Sequence, residues 1–355
     1  MERRARAHFR VVRVNRWSLA LLLILALALM FWPTRGFMPV SGAPSPHVRE
    51  GVTVLGLDFS GKGEREARAM LQQIASAYQS APVDAREFTD ARGNAYVVPE
   101  VNGYELDVDM TWLRLSVAPP GSEVEPVTRT SPAARRLTDY PQGVIRQGNG
   151  EKQAITLLVN VDWGDRELMQ MLPLLKKKGV KVTFFVSGRW ADQHQNLLKL
   201  MAEDGHEIAT HGHNLASGPK ALAASGKLKG DIERSVAVIR TITGQEVKYY
   251  APHMSEVSPQ ILKTAAELNL RTVLYSLDTV DWRDSTTTEK ILGTFQQAKP
   301  GDLILLHPKP NTVRALDQAI DLVRSRGLKP VTLSEMLAPE PTRPSQPSLA
   351  VPSQP

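Results

Sequence analysis

The chain has no cysteine, which excludes disulfide bracing and any thiolate metal centre. Cysteine-free proteins occur on both sides of a bacterial membrane, so the compartment has to be read from the N-terminus alone. A general excess of basic charge is also missing. The 355 residues carry a formal +6, but residues 1–16 hold six arginines against one glutamate, net +5, leaving about +1 for all the rest. That local cluster abuts an apolar helix, which removes the reading of a transcription factor or other nucleic-acid binder. Apolar runs of membrane-spanning character are scarce too. The exception is W-S-L-A-L-L-L-I-L-A-L-A-L-M-F-W at residues 17–32, uncharged and closed by Pro33.

Sixteen helical residues reach about 24 Å at about 1.5 Å each, and Val11, Val12, Val14 and the snorkelling arginines extend that reach. Arginines before the run and tryptophans at both ends predict a single transmembrane helix at 17–33, a cytoplasmic stub at 1–16 and an extracytoplasmic remainder. The rival is a cleaved signal peptide, for which Ser41-Gly42-Ala43 offers small residues, although Pro44 makes that bond a poor one to cut. Residues 34–49, with Gly36, Pro39, Pro44 and Pro46, read as a linker, and 338–355 as a Pro/Ser-rich disordered tail.

Between them lie two units. Residues 50–131 read as a small α+β domain: the strand and turn G-V-T-V-L-G-L-D-F-S-G, a helix over Gly63 to Tyr78 and a second strand over Asn102 to Asp109. From Ile155 to Thr332 strand and helix alternate with short connections, the signature of a parallel βαβ architecture. Seven strands are expected, at Ile155–Val161, Val180–Val186, Glu207–Thr210, Val247–Tyr250, Arg271–Ser276, Leu303–Leu306 and Lys329–Thr332, giving an α/β fold of the distorted (β/α)-barrel kind. In such a barrel the C-terminal strand ends converge on one face. Asp162, His211, Asp278, Asp281 and His307 all stand at or just beyond strand ends, and so form the candidate site.

Residues 50–131, with N-G-Y-E-L-D-V-D and A-P-P-G-S-E-V-E-P-V, resemble the peptidoglycan-binding-like domain found beside transpeptidase domains of bacterial wall enzymes. Residues 150–337 resemble the NodB-homology polysaccharide deacetylases. That resemblance implies hydrolysis of an N-acetyl amide: a divalent metal, zinc first, polarises the carbonyl, an aspartate takes the proton of water, and a histidine protonates the departing amine. Where the family has T-F-D-D-G this chain has Asn160-Val161-Asp162-Trp163-Gly164, so the base maps to Asp162 and a metal ligand to Trp163. The first metal histidine maps to His211, but the second, four residues on, is Leu215. His213 lies between, and an H-x-H pair on extended chain points both rings to one side, so His211 and His213 are the expected metal ligands, a relocated half-site formed with Asp162.

The family's arginine before Pro-Pro is absent from Tyr250-Ala251-Pro252-His253, leaving Asp281 without its implied partner. Asp278-Thr279-Val280-Asp281-Trp282 is intact, and Ile304-Leu305-Leu306-His307-Pro308 keeps the pocket residue Leu305 and the acid His307. The expected substrate pocket is therefore Trp282, Leu305, Asp278 and Asp281. These departures are similar to those of the sporulation-associated branch, with V-A-W-G and F-A-P-P, although Asp162 retains the base. The resemblance implies a membrane-anchored, extracytoplasmic deacetylase-like hydrolase acting on N-acetylated cell-wall glycan. The alternative is a glycan-binding or scaffold protein that keeps the fold without two of three metal ligands.

Overall fold

A computed structural model describes residues 45–89, 95–214 and 216–340. The N-terminal unit has three two-stranded antiparallel ribbons: β1 (Thr53–Val54) with β2 (Leu57–Asp58), β3 (Arg86–Thr89) with β4 (Ala95–Val98), and β5 (Gly103–Leu106) with β6 (Thr128–Ser131). Two helices, α1 (Glu64–Ala77) and α2 (Val108–Val117), pack with them. Ala67, Leu71 and Ile74 of α1 and Trp112 and Leu115 of α2 share one core with Val52, Phe59, Tyr104 and Leu106. The sequence reading runs its second strand through to Asp109. Instead the strand stops at Leu106, because the Asp107 carboxylate accepts from the Met110 N–H at 3.0 Å and caps α2.

The larger unit is a curled parallel sheet. Its strands are β7 (Ala154–Val161), β8 (Thr183–Val186), β9 (Glu207–Thr210), β10 (Tyr249–Tyr250), β11 (Arg271–Thr272), β12 (Leu277–Asp278), β13 (Leu303–Leu306) and β14 (Lys329–Val331). Hydrogen bonding runs β11-β10-β9-β8-β7-β13-β12, with β14 paired to the N-terminal end of β7. Between and after the strands run α3 (Asp165–Lys178), α4 (Gly188–Gln193), α5 (Gln195–Glu203), α6 (Pro219–Ala224), α7 (Leu228–Thr243), α8 (Pro259–Glu267), α9 (Thr288–Gln297), α10 (Pro310–Ser325) and α11 (Leu333–Leu337).

Strand alternation explains both cores. Ile155, Leu157, Val159 and Val161 of β7 pack outward with Leu168, Met171 and Leu175 of α3. Ala154 and Leu158 face inward with Phe185, Ala209, Tyr249, Ala251 and Leu303. The same alternation, continued past each strand end, aims Asp162, Ser187, His211, His253 and His307 into the curl.

Two expectations of fold class are corrected. The sheet has eight strands, not seven: the run read as a strand over Arg271–Ser276 pairs with β10 only at Arg271–Thr272, and a further strand, β12, follows it at Leu277–Asp278 and pairs with β13 at the other end of the path. Only residues 273–276 separate those two ends in sequence, so the sheet has curled almost onto itself without β11 and β12 pairing. Residues 145–147 close part of the gap: Ile145 bridges Val273, just past β11, and Gln147 bridges Asp302, just before β13. The second correction concerns the single N-terminal transmembrane helix. Residues 17–33 lie outside the described residues, and among the described residues no helix is long and apolar enough to cross a membrane. Of the expected tail, 341–355 also lie outside the described residues. Ala338 and Pro339 are seated, their carbonyls accepting from the Lys152 ammonium and the Asn102 N–H.

Candidate active site

At the C-terminal ends of the strands is a cleft of about 450 Å³ lined by Asp162, Trp163, His211, His253, Tyr275, Asp278, Trp282, Leu305 and His307, among others. Gly164 allows the first of these to approach the last. Its φ is +92°, and a Cβ there would lie 2.5 Å from Pro308 Cγ and from the Pro308 carbonyl, so only glycine lets the end of β7 meet the loop after β13.

His307 is held from below. Its Nδ1 lies 2.8 Å from Asp281 Oδ1, its backbone N–H donates to Asp281 Oδ2 at 2.7 Å, and Thr312 donates to the same Oδ2 at 2.7 Å. Asp281 is therefore not left without a partner, as the missing arginine had suggested: it fixes the ring so that Nε2 points toward the cleft. The turn carrying it is strained, with Val280 at φ +57°, and is braced by Asp278, whose Oδ1 accepts from the Val280 N–H at 2.7 Å. Asp278 lines the cleft but one of its oxygens is engaged in the turn.

Asp162 accepts from the Ser187 hydroxyl through Oδ1 and from Arg189 Nη2 at 3.3 Å through Oδ2. Both oxygens of Asp162, to which the resemblance gives the role of base, are thus occupied by donors, one of them a guanidinium arriving from α4 rather than from the third motif. Trp163 stands where the family has a metal ligand. Its ring is stacked on the His307 imidazole, centroids 5.9 Å apart and 13° from parallel, and the Lys309 ammonium sits 4.7 Å over its face. Trp282 is half exposed at the rim, with the Arg283 guanidinium 4.6 Å over its ring, and Leu305 is buried at the floor.

The expected pairing of His211 with His213 does not occur. Gly212 adopts φ +90°, which breaks the extended chain that an H-x-H alternation requires. His213 is turned out of the cleft and buried against Gly188 and Ser235. The imidazole that joins His211 is His253, whose Nδ1 lies 3.5 Å from His211 Nε2. His253 follows Tyr249 and Ala251 in the inward parity of β10, and that parity could have marked it from sequence. Ser187 and Arg189 carry no comparable motif.

A three-ligand metal centre of the family kind does not fit these residues. The indole of Trp163 occupies one ligand position, position 215 is leucine, and among the described residues no group of three His, Cys, Asp or Glu converges to hold an ion.

Burial also sets the charge state of two histidines. His211 is pushed down to about 3, chiefly by burial and then by the neighbouring His253. His206 is pushed down to about 4, chiefly by burial and then by Lys181, and its Nδ1 accepts from the Val182 N–H at 3.2 Å. The unfolded chain, with histidines near 6.5, binds more protons than the folded one from there down to about 4, so stability must fall as pH drops through that window. The slope is up to about 1.4 kcal/mol per pH unit for each histidine. Urea midpoints measured from pH 7 to pH 4.5 should decline, and His206→Gln should flatten the decline; an unchanged slope would show that His206 does not titrate on unfolding.

A family model for polysaccharide deacetylases matches residues 147–273. A Bacillus cereus peptidoglycan-N-acetylglucosamine deacetylase is 30% identical over 177 residues, covering 47% of this chain and 80% of the relative. The Bacillus subtilis protein YlxY is 25% identical over 287 residues, covering 79% of this chain and 89% of the relative. The crystal structure of a mutant of a carbohydrate esterase family 4 pseudoenzyme, whose wild type is from Bacillus anthracis, superposes with a TM-score of 0.67 at 25% identity, covering 78% of this chain and 98% of that one. The extent of the cereus alignment, the family-model match and the shared curled sheet together establish that the chain belongs to the polysaccharide deacetylase family.

Proposed function

We propose that the cleft binds N-acetylated cell-wall glycan and that the wild-type chain hydrolyses it slowly or not at all. The observation that carries this reading is Trp163, lying flat against His307 at a metal-ligand position of the family. An aromatic ring there removes a donor for the group that polarises the acetyl carbonyl and adds an apolar plate beside the rim tryptophan Trp282. Fold alone does not decide activity, but the relatives support the substrate class by name, one as a peptidoglycan deacetylase, and one structural neighbour is described as a pseudoenzyme.

The second reading is a slow deacetylase with Asp162 as base and His307 as acid. It is favoured by the intact His307–Asp281 pair, which has the orientation an acid toward a leaving amine needs. In either case a cell-wall substrate would call for residues 45–340 to work outside the cytoplasm, and the N-terminal resemblance supports a second wall contact for residues 50–131. Titration of the full chain with N-acetylglucosamine oligomers, with acetate measured in the same samples, tests the proposal.

A further inference from the structure

Past β11 the chain turns from one end of the sheet toward the other, and residues 273–276 belong to no strand of it. They form cleft wall, since Tyr275 lines the cleft together with His253 and Leu305. Their backbone groups still need partners, and the sheet supplies only some: the Val273 N–H donates to the Tyr250 carbonyl at 2.9 Å and the Ser276 N–H to the Leu303 carbonyl at 3.0 Å. The rest come from the segment that joins the two units. The Leu274 N–H donates to the Ile145 carbonyl at 2.8 Å, the Ile145 N–H donates to the Thr272 carbonyl at 2.9 Å, and Arg146 Nε donates to the Tyr275 carbonyl at 3.4 Å.

The same segment is fastened to the N-terminal unit. Ile145, which is buried, also bridges Val97 of β4, and the Val97 N–H donates to the Val144 carbonyl at 2.7 Å. Val97 is itself buried, and it packs so closely that a Cβ on Gly143 would lie 2.3 Å from its Cγ2. Further along, the Gly148 N–H donates to the Gly301 carbonyl at 2.7 Å, and the buried Asn149 donates through Nδ2 to the Pro99 carbonyl at 3.0 Å. Arg271 of β11 reaches back to the Tyr140 carbonyl at 2.8 Å. The β3–β4 ribbon, the joining segment and the wall thus form one hydrogen-bonded path. It starts in a unit none of whose described residues lines the cleft.

We propose that residues 143–149 are a strut through which the N-terminal unit holds the cleft wall in place, with Ile145 and Arg146 as positioning residues for Tyr275. Neither of the two lines the cleft, so both act through the wall. Without the segment, the polar groups of Thr272, Leu274 and Tyr275 that it pairs would be left as an open edge. The N-terminal unit is therefore part of the scaffold of the cleft and not only an attached module. The inference does not rest on the glycan reading and is read out without any glycan.

The test is amide hydrogen exchange on the full chain, comparing Val97→Ala with the wild type. Loss of two buried methyl groups from β4 should speed exchange at Leu274 on the order of 10-fold, while Phe184 and Phe185 of β8 keep their wild-type rates. A general loss of stability would instead speed β8 and the wall alike. Arg146→Ala, at a half-buried position, keeps the test usable if Val97→Ala does not fold. It should speed exchange over residues 274–276 roughly 2- to 10-fold, the net worth of one hydrogen bond, and Arg146→Lys should recover part of that protection. Unchanged exchange at the wall in these variants, or equal acceleration at Leu274 and Phe185, would overturn the strut.

Discussion

Replacing Trp163 by Asp and Leu215 by His in one chain is expected to raise acetate release from N-acetylglucosamine oligomers on the order of 10²- to 10³-fold over the wild type, and to make it sensitive to chelators. The size follows from what an electrophile does for an amide carbonyl, which is several kcal/mol of transition-state stabilisation. The rest of the machinery needs no change. His307 is already oriented by Asp281, Asp162 already stands at the end of β7, and Gly164 already lets β7 and the loop after β13 approach each other. Trp163→Asp also uncovers His307 by removing the stacked ring. Trp163→Phe is the control, since it keeps an aromatic plate and adds no ligand, and it should gain nothing. A double variant that binds zinc yet stays as inactive as the wild type would show that the defect lies elsewhere. The doubly engaged Asp162 would then be the first suspect, with Arg189→Ala the next variant.

Trp282→Ala should weaken binding of the same oligomers by roughly 30-fold, the effect of losing a central aromatic anchor worth about 2 kcal/mol. The ring is half exposed at the rim of the cleft, and its open area is what a sugar face would cover. Since it is not packed in the core, the substitution should change stability by no more than about 0.5 kcal/mol, so lost binding would not be a folding artefact. Trp282→Phe should recover part of the affinity. Equal affinity in wild type and Trp282→Ala, measured by calorimetry, would move the glycan off this rim.

Much of this site was legible because the barrel turns a sequence alternation into a spatial one. The apolar run of β7 ending in Asp162, and the shorter run of β13 ending in His307, each deliver one polar side chain where the strand stops. His213 misled for a local reason. Its parity matches that of His211, but Gly212 takes a left-handed conformation that reverses it, and glycine identity alone does not announce which glycine will turn. His253 was visible by the same parity, two residues past Ala251, yet a proline between them hides the strand's continuation. The eighth strand was hidden because β12 is only Leu277–Asp278, directly after the stretch read as one strand over Arg271–Ser276, and only its pairing with β13 marks it as a strand. In the N-terminal unit, N-G-Y-E-L-D-V-D alternates like a strand throughout, and the cap made by Asp107 is what ends it. Ser187 and Arg189 reach Asp162 from a neighbouring strand end and the helix after it, contacts that no local pattern encodes.

The central claim is that this cleft retains glycan recognition while its hydrolytic power has been lost. It is tested most directly on the unmodified chain, by titrating it with N-acetylglucosamine pentamer while tryptophan fluorescence and released acetate are followed in the same samples, with the Bacillus cereus deacetylase as reference. The prediction is a saturable change in fluorescence from Trp163 and Trp282, with acetate release at least about 100-fold below the reference, as expected where the carbonyl's polariser is lost. Acetate release at the reference rate, or no saturable binding at all, would contradict it.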